Sequence, residues 1–371
     1  MSDWQSLAAY GKVVFYTQVT PNRRNGSPAR MNDKKMMTLA DIAKLAGVSE
    51  STASRALRNN PVINQATREK VQQIAAEHQF KVNATARNLR TQKSYTIAVI
   101  IAFDAKTQQT VSDPFLLELL GVIADELSQH GYDMLLSTSK SDDKDWGSYF
   151  LDSKRADGLI IIGQGEHDPR VEALAQTQVP FVVWGGRSGA ELYPIIGSDN
   201  RQGGRLATEH LLNQGCRQLV FLGDIRHNEI EQRHLGMLDA CQAAGIASDA
   251  VQQLTCDFTA QAGYLQTQQH VFARLPELDG IFAASDAIAM GAMKALLEHD
   301  IAIPQQVALV GFDDIAMSAY CTPSLSTVKQ NTQSGGKALV SQLLARMQGQ
   351  QPLSEQLAVK LLCRQSSLRR L

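Results

Sequence analysis

Between residues 38 and 58 the apolar positions keep a helical period, break once, and resume. Leu39, Ile42, Ala43 and Ala46 fall at i, i+3, i+4 and i+7, one face of a short helix. Gly47 follows, a residue that turns the chain without a Cβ penalty. Ser49 stands where an N-cap is needed, and a second short helix runs over residues 50–57. Ala53, Ala56 and Leu57 face inward, leaving Glu50, Ser51, Ser54 and Arg55 outside. Small residues at the crossing fit a helix-turn-helix, and they equally fit an ordinary αα-hairpin. Asn59-Asn60-Pro61 makes the next turn. Asn64 caps a third helix with Val71, Ile74 and Ala75 inside and His78 at its end.

From Ser94 the period changes. Apolar runs of strand length at 97–102, 132–137, 158–162 and 181–184 alternate with helical patterns at 114–130, near 144–151 and at 170–176. The rhythm restarts at 195–196 and 201–214. It continues through 219–222, 231–244, 251–255, 259–274, 280–283, 287–299 and 307–310. A helix at 332–347 and strands near 357–362 close the series. This is the βαβ order of parallel, doubly wound sheets. Two such sheets in series predict a bilobed α/β body with a ligand cleft at the carboxyl ends of its strands.

Charge sharpens the division. The chain of 371 residues has a net charge of −1, but 38–93 holds nine Lys/Arg against four Asp/Glu. Residues 1–37 hold six against two, and 94–371 hold 21 against 31. A basic head on an acidic body fits a polyanion-binding module fused to another function. The longest apolar runs are far short of the ~18 residues that a membrane span needs. The start of the chain lacks a continuous apolar segment, so no secretory signal is expected. Five scattered cysteines with no CxxC or Cys/His cluster suggest no metal site and a reducing compartment. Residues 1–37, with Pro21, Asn25, Gly26 and Pro28, read as a disordered extension.

The segment TLADIAKLAGVSESTASRALR resembles the DNA-binding head of the lactose/galactose-repressor (LacI/GalR) family. Its pattern T-x-x-D-[IV]-A-x-x-A-G-V-S-x-x-T-[VA]-S-R-x-L is met at thirteen positions, from Thr38 to Leu57. The resemblance extends over roughly 38–371 through GSDNRQGGRLATEHLLNQG, IFAASDAIAMGAMKAL and ALVGFDD. It implies a small all-α helix-turn-helix head at 38–82 and a hinge at 83–93. It implies a body at 94–371 with the type I periplasmic-binding-protein-like fold. Lobe 1 is expected near 94–187 and 329–350, and lobe 2 near 188–328 and 351–371.

In the head, the resemblance assigns DNA contacts to Thr38, Ser49, Glu50, Ser51, Thr52, Ser54 and Arg55. Glu50 and Ser51 occupy the family's variable positions and are the expected base readers. Arg55 is expected on a guanine edge or a phosphate, and Ser49 and Thr52 on phosphates. In the hinge, Asn83, Ala86, Arg87 and Leu89 match, with Leu89 the wedge into the minor groove. Val82 replaces the usual proline.

In the body, Asp313 matches the family's ligand-binding aspartate and Arg233 its R-x-x-G arginine. Phe258 stands at an aromatic covering position, and Ser285 where asparagine is frequent. Asp113 and Phe115, after the first strand, and Gln164, after the third, are candidates from the other lobe. Trp184 either lines the pocket or fills the core. Asp286 either caps its helix or meets the ligand.

Carboxylates and a guanidinium bind vicinal hydroxyls while an aromatic ring covers a sugar's C–H face. The resemblance therefore implies a cytoplasmic, nucleoid-associated bacterial homodimer on a palindromic double-stranded operator. It is expected to be a repressor of carbohydrate-utilisation genes released by a sugar, without a cofactor and without membrane contact. A purine or other non-sugar co-repressor on the same fold is the alternative. The chain shows no P-loop, no G-x-G-x-x-G after its first strand and no G-x-S-x-G elbow, which argues against an enzyme. A basic head and the lack of a leader argue against a transport protein.

Overall fold

A computed structural model describes residues 37–80, 93–103, 109–139, 145–163, 168–187, 192–247, 251–274 and 277–369. The expected extension up to residue 36, the hinge residues Asn83, Ala86, Arg87 and Leu89, and Gln164 lie outside the described residues. The chain divides into two compact units, Met1–Asn83 and Ala84–Leu371.

The first unit contains α1 (Leu39–Ala46), α2 (Glu50–Leu57) and α3 (Gln65–Glu77). Each begins at a side-chain cap. At α1, Thr38 Oγ1 accepts from the Asp41 amide at 3.2 Å, and the Asp41 carboxylate accepts from the Thr38 amide at 3.0 Å. Ser49 accepts from the Thr52 amide at 3.2 Å, and Asn64 from the Thr67 amide at 2.8 Å. Each such cap stabilises its helix by about 1 kcal/mol. Gly47 ends α1 at φ +70°, where the chain reverses into α2. Ile42, Ala43, Ala46, Ala53, Ala56 and Val71 form the core, mostly alanine, so the helix backbones approach closely. His78 is the C-cap of α3 and exposed.

The second unit contains two sheets. The first holds β1 (Thr96–Ala102), β2 (Asp133–Ser139), β3 (Gly158–Ile162), β4 (Phe181–Trp184), β5 (Ile195–Ser198) and β11 (Glu355–Leu357). Their order is β11-β5-β4-β3-β1-β2, all parallel. The second holds β6 (Leu219–Leu222), β7 (Val251–Leu254), β8 (Gly280–Ala283), β9 (Ala308–Asp313), β10 (Ser326–Lys329) and β12 (Lys360–Leu362). Their order is β12-β10-β9-β8-β6-β7, with β12 antiparallel. Strands β3, β4, β6 and β8 are buried at every position, as strands covered by helices on both faces must be. The covering helices include α4 (Pro114–Gln129), α5 (Pro169–Ala175), α6 (Asn200–Asn213), α7 (Asn228–Ala243), α8 (Ala260–Gln266), α9 (Asp286–Glu298) and α10 (Thr332–Met347).

The chain passes between the sheets after β5, after β10 and after β11. Here the structure departs from the expected division, in which 195–196 opens the second series and 351 onward belongs to the second lobe. Instead β5 pairs with β4, and β11 pairs with β5, in the first sheet. A strand of three or four residues carries no local mark of its sheet; only its hydrogen-bonded neighbour decides. The helix expected over 259–274 also changes form. α8 ends at Gln266 and wider turns follow over Thr267–Val271, where Thr267 Oγ1 donates to the Gly263 carbonyl at 2.8 Å and competes with the backbone ladder. Among the described residues no helix is long and apolar enough to cross a membrane.

Two helices of the second unit, α6 and α7, touch backbone to backbone. A Cβ on Gly204 would lie 1.9 Å from the Arg233 carbonyl oxygen, and one on Gly236 2.0 Å from that of Arg201. Gly204→Ala must push α7 away and should lower the body's stability by at least ~1–3 kcal/mol. Urea denaturation measures it; an unchanged midpoint would show that the helices do not meet there.

Candidate functional site

On α2 the outward positions are polar. Glu50, Ser51 and Arg55 are exposed, Thr52 and Ser54 half-buried, and Ala53 and Ala56 buried. The Ser49 hydroxyl caps the helix and also lies 2.9 Å from both the Ser51 and Thr52 hydroxyls. Arg58 Nε donates to the Ser54 carbonyl at 3.0 Å, so Arg58 folds back along the helix. Thr38 is exposed at the start of α1. α2 thus offers one acidic, one basic and several hydroxyl groups on a short rigid face.

In the second unit a cavity opens at the carboxyl ends of both sheets. The first sheet's side contributes Phe103, Asp113, Phe115, Trp184 and Ser198; the second sheet's side contributes His227, Glu229, Arg233, Phe258, Ser285 and Asp313. Asn200 and Gln330, from the chain crossings, complete the wall. Seven of the eight sequence candidates therefore come together here.

Their local roles differ. Asp113 caps α4, accepting from the Leu116 amide at 3.1 Å, and burial pushes its carboxyl up. Ser285 caps α9, accepting from the Ile288 amide at 3.3 Å, so part of its hydrogen-bonding capacity is committed. Phe258 meets the His227 ring edge-on at 5.0 Å. Trp184 does both things left open for it. It lines the cavity, and it packs on Phe115 and so closely over Gly335 that a Cβ there would lie 2.4 Å from its ring. Asp286 does not line the cavity. It accepts from Thr327 Oγ1 at 2.6 Å and the Ile315 amide at 2.9 Å, pinning α9 to β10.

Arg233 and Asp313 form the charged centre. Arg233 is 5% exposed. It donates from Nε to Asn200 Oδ1 at 2.9 Å and from Nη1 to the Ala284 carbonyl, with its guanidinium 3.6 Å from the Phe312 ring centre. Asp313 Oδ1 lies 3.9 Å from Arg233 Nη1 and accepts from Gln330 Nε2 at 2.7 Å. Its φ of +121° is a setting that non-glycine residues rarely hold, of the kind that concentrates at functional sites. Burial raises the Asp313 carboxyl from its ordinary value, against the pull of Arg233. The Ser198 hydroxyl, buried at the cavity wall, has no hydrogen-bond partner. A buried orphan of this kind costs about 1–3 kcal/mol unless a bound molecule satisfies it.

Residues 38–83 match the family described as bacterial regulatory proteins, lacI family, and 208–367 match the periplasmic binding protein-like domain. The ribose operon repressor of Halalkalibacterium halodurans is 32% identical over 325 residues, covering 86% of this chain and 92% of that protein. The chain belongs to the LacI family. The HTH-type transcriptional regulator CelR of Thermobifida fusca is 29% identical over 343 residues, 91% of this chain and 100% of that protein. The solved CelR–cellobiose complex has a TM-score of 0.67 at 27% identity, covering 89% of this chain and all of that one. The Lac repressor dimer bound to operator and the anti-inducer ONPF has a TM-score of 0.80 at 26% identity, covering 90% and 100%.

As a LacI-family protein the chain is a helix-turn-helix DNA-binding transcriptional regulator with a periplasmic-binding-protein-like body. Sequence reasoning missed Ser198, Asn200, His227, Glu229 and Gln330 in the cavity wall of this LacI-family body. His227 and Glu229 follow β6, and the strand-end rule that found Asp113 could have found them. Asn200 and Gln330 lie at the chain crossings, whose positions depend on strand pairing.

The Ser49 geometry gives a test within the head. Ser49→Ala should weaken α2 by about 1 kcal/mol even without DNA, and Ser49→Asp should keep the cap. Hydrogen exchange of the α2 amides measures it; equal protection in Ser49→Ala would deny the cap.

Proposed function

We propose that this regulator is a cytoplasmic repressor of carbohydrate-utilisation genes that leaves a palindromic operator when a sugar occupies the cavity. The observation that carries this is the cavity's chemistry. Asp113, Glu229 and Asp313 stand against one guanidinium, Arg233, among the described lining residues. Such a wall accepts from hydroxyl donors and repels phosphate or carboxylate, so a neutral polyol suits it. Phe115, Trp184 and Phe258 supply rings for an apolar C–H face. CelR's solved complex with cellobiose supports the class.

The head would act as half of a homodimer, since a palindrome calls for two-fold symmetry. The Lac repressor dimer on its operator supports this arrangement. Glu50 and Ser51 would read bases, Arg55 a guanine edge or phosphate, and Thr38, Ser49, Thr52 and Ser54 would hold the backbone. Residues 83–93 would form the hinge between 38–82 and the body at 94–371, with Asn83, Ala86, Arg87 and Leu89 meeting the minor groove. Gln164 would join the cavity from the first lobe. Binding and release of DNA in this way need neither a cofactor nor catalysis.

A thermal-shift screen of neutral sugars, sugar phosphates and purines tests it. A neutral sugar should raise the melting temperature and release DNA selected from a random library by the full chain. Arg233→Ala should reduce that sugar's affinity by roughly 2–5 kcal/mol and leave DNA binding intact. The ionised Asp313 carboxylate accepts from a sugar hydroxyl more strongly than the neutral acid does, and burial raises its carboxyl. Sugar affinity should therefore fall as pH drops through neutrality, and Asp313→Asn should lose that dependence. Stabilisation by a purine alone, with tighter DNA binding, would replace this proposal with a co-repressor.

A further inference from the structure

The cavity's charged centre is attached at both ends to the crossings between the sheets. Asn200 begins α6 directly after β5, at the first crossing, and is 4% exposed. Its amide donates to the Ser198 carbonyl at 3.1 Å, and its Oδ1 accepts from Arg233 Nε at 2.9 Å. Gln330 follows β10 at the second crossing and is also 4% exposed. Its side chain donates to the Asp313 carboxylate at 2.7 Å and its backbone amide to the Asp313 carbonyl at 3.4 Å. The Arg233–Asp313 pair closes the gap between them at 3.9 Å. A continuous polar chain thus runs from Ser198 to Gln330 through the centre of the cavity.

We infer that Asn200 and Gln330 are positioning residues that lock the two crossings to one another through Arg233 and Asp313. Each crossing has a further anchor. The Asp199 amide donates to the Leu357 carbonyl at 2.9 Å, which links the first crossing to the third. Thr332, just past Gln330, donates its hydroxyl to Glu118 on α4 in the first lobe. Arg233 and Asp313 both belong to the second lobe, so the lock fixes the two crossings where they meet that lobe. A molecule held between Arg233 and Asp313 would in turn favour one setting of the crossings. Buried charge-assisted bonds suit this role, because breaking one strands a desolvated group.

The inference rests on the reading of the cavity as an effector site, but its test needs no effector. Hydrogen exchange is followed in the full chain without added ligand. Asn200→Ala should speed exchange about tenfold both near 198–201 and at 329–332, where the Gln330 amide is bonded to Asp313. Asn200→Asp keeps an acceptor for Arg233 and should restore protection at the second crossing. Gln330→Ala should act reciprocally and loosen 198–201, which keeps the test open should one variant fold poorly. Faster exchange confined to the mutated crossing in both directions would overturn the lock. Failure of every sugar to bind, with the reciprocal exchange intact, would count against the sugar reading alone.

Discussion

The second unit is arranged around one demanding group, the buried guanidinium of Arg233. A cation taken out of water is tolerated only with its hydrogen-bonding capacity used and an opposite charge at hand. Asn200 at the start of α6, the Ala284 carbonyl just past β8, and the Phe312 ring and Asp313 at the end of β9 meet these needs. Burial lowers the guanidinium from its ordinary value while Asp313 works against that. The same burial raises Asp313. A polar ligand arriving between them would make hydrogen bonds to both groups that exist only in the bound state, which is the differential affinity a sensor requires.

The scaffold answers this need. Arg233 is held at its height by the glycine contacts between α6 and α7, where any side chain would force the helices apart. Asp313 is held in a left-handed backbone setting by the Gln330 side chain and amide. The head solves a smaller problem by other means. Its core is mostly alanine, so the three helices approach closely, and a side-chain cap at the start of each helix adds to the apolar burial.

Much of this is legible in the sequence where the signal is local. The phase of Leu39, Ile42, Ala43 and Ala46, with Gly47 and Ser49, locates the first two helices, because caps and apolar faces are properties of neighbouring residues. The alternation of strands and helices specifies the sheets. Trp184 and Asp313, the last residues of their strands, and Asp113, at the end of the loop after β1, reach the cavity for that topological reason. What is not legible depends on pairing across distance. β5 and β11 fall to the wrong sheet in a sequence reading because strands of three or four residues look alike in either. Asn200 and Gln330 are missed for the same cause: their importance lies at crossings that only the strand order defines. Ser285 and Asp113 show the converse, since a cap and a cavity residue can be the same side chain.

In this molecule the Arg233–Asp313 centre would couple cavity occupancy to the setting of the two lobes. The most direct measurement is the distance between spin labels on the exposed faces of α4 and α9, read by pulsed electron resonance in the full chain. On saturation with a sugar that raises the melting temperature, the distribution should move to a new, narrower distance, because the ligand selects one setting. The same distribution with and without bound sugar would contradict the coupling, and regulation would then have to pass from cavity to head without lobe motion.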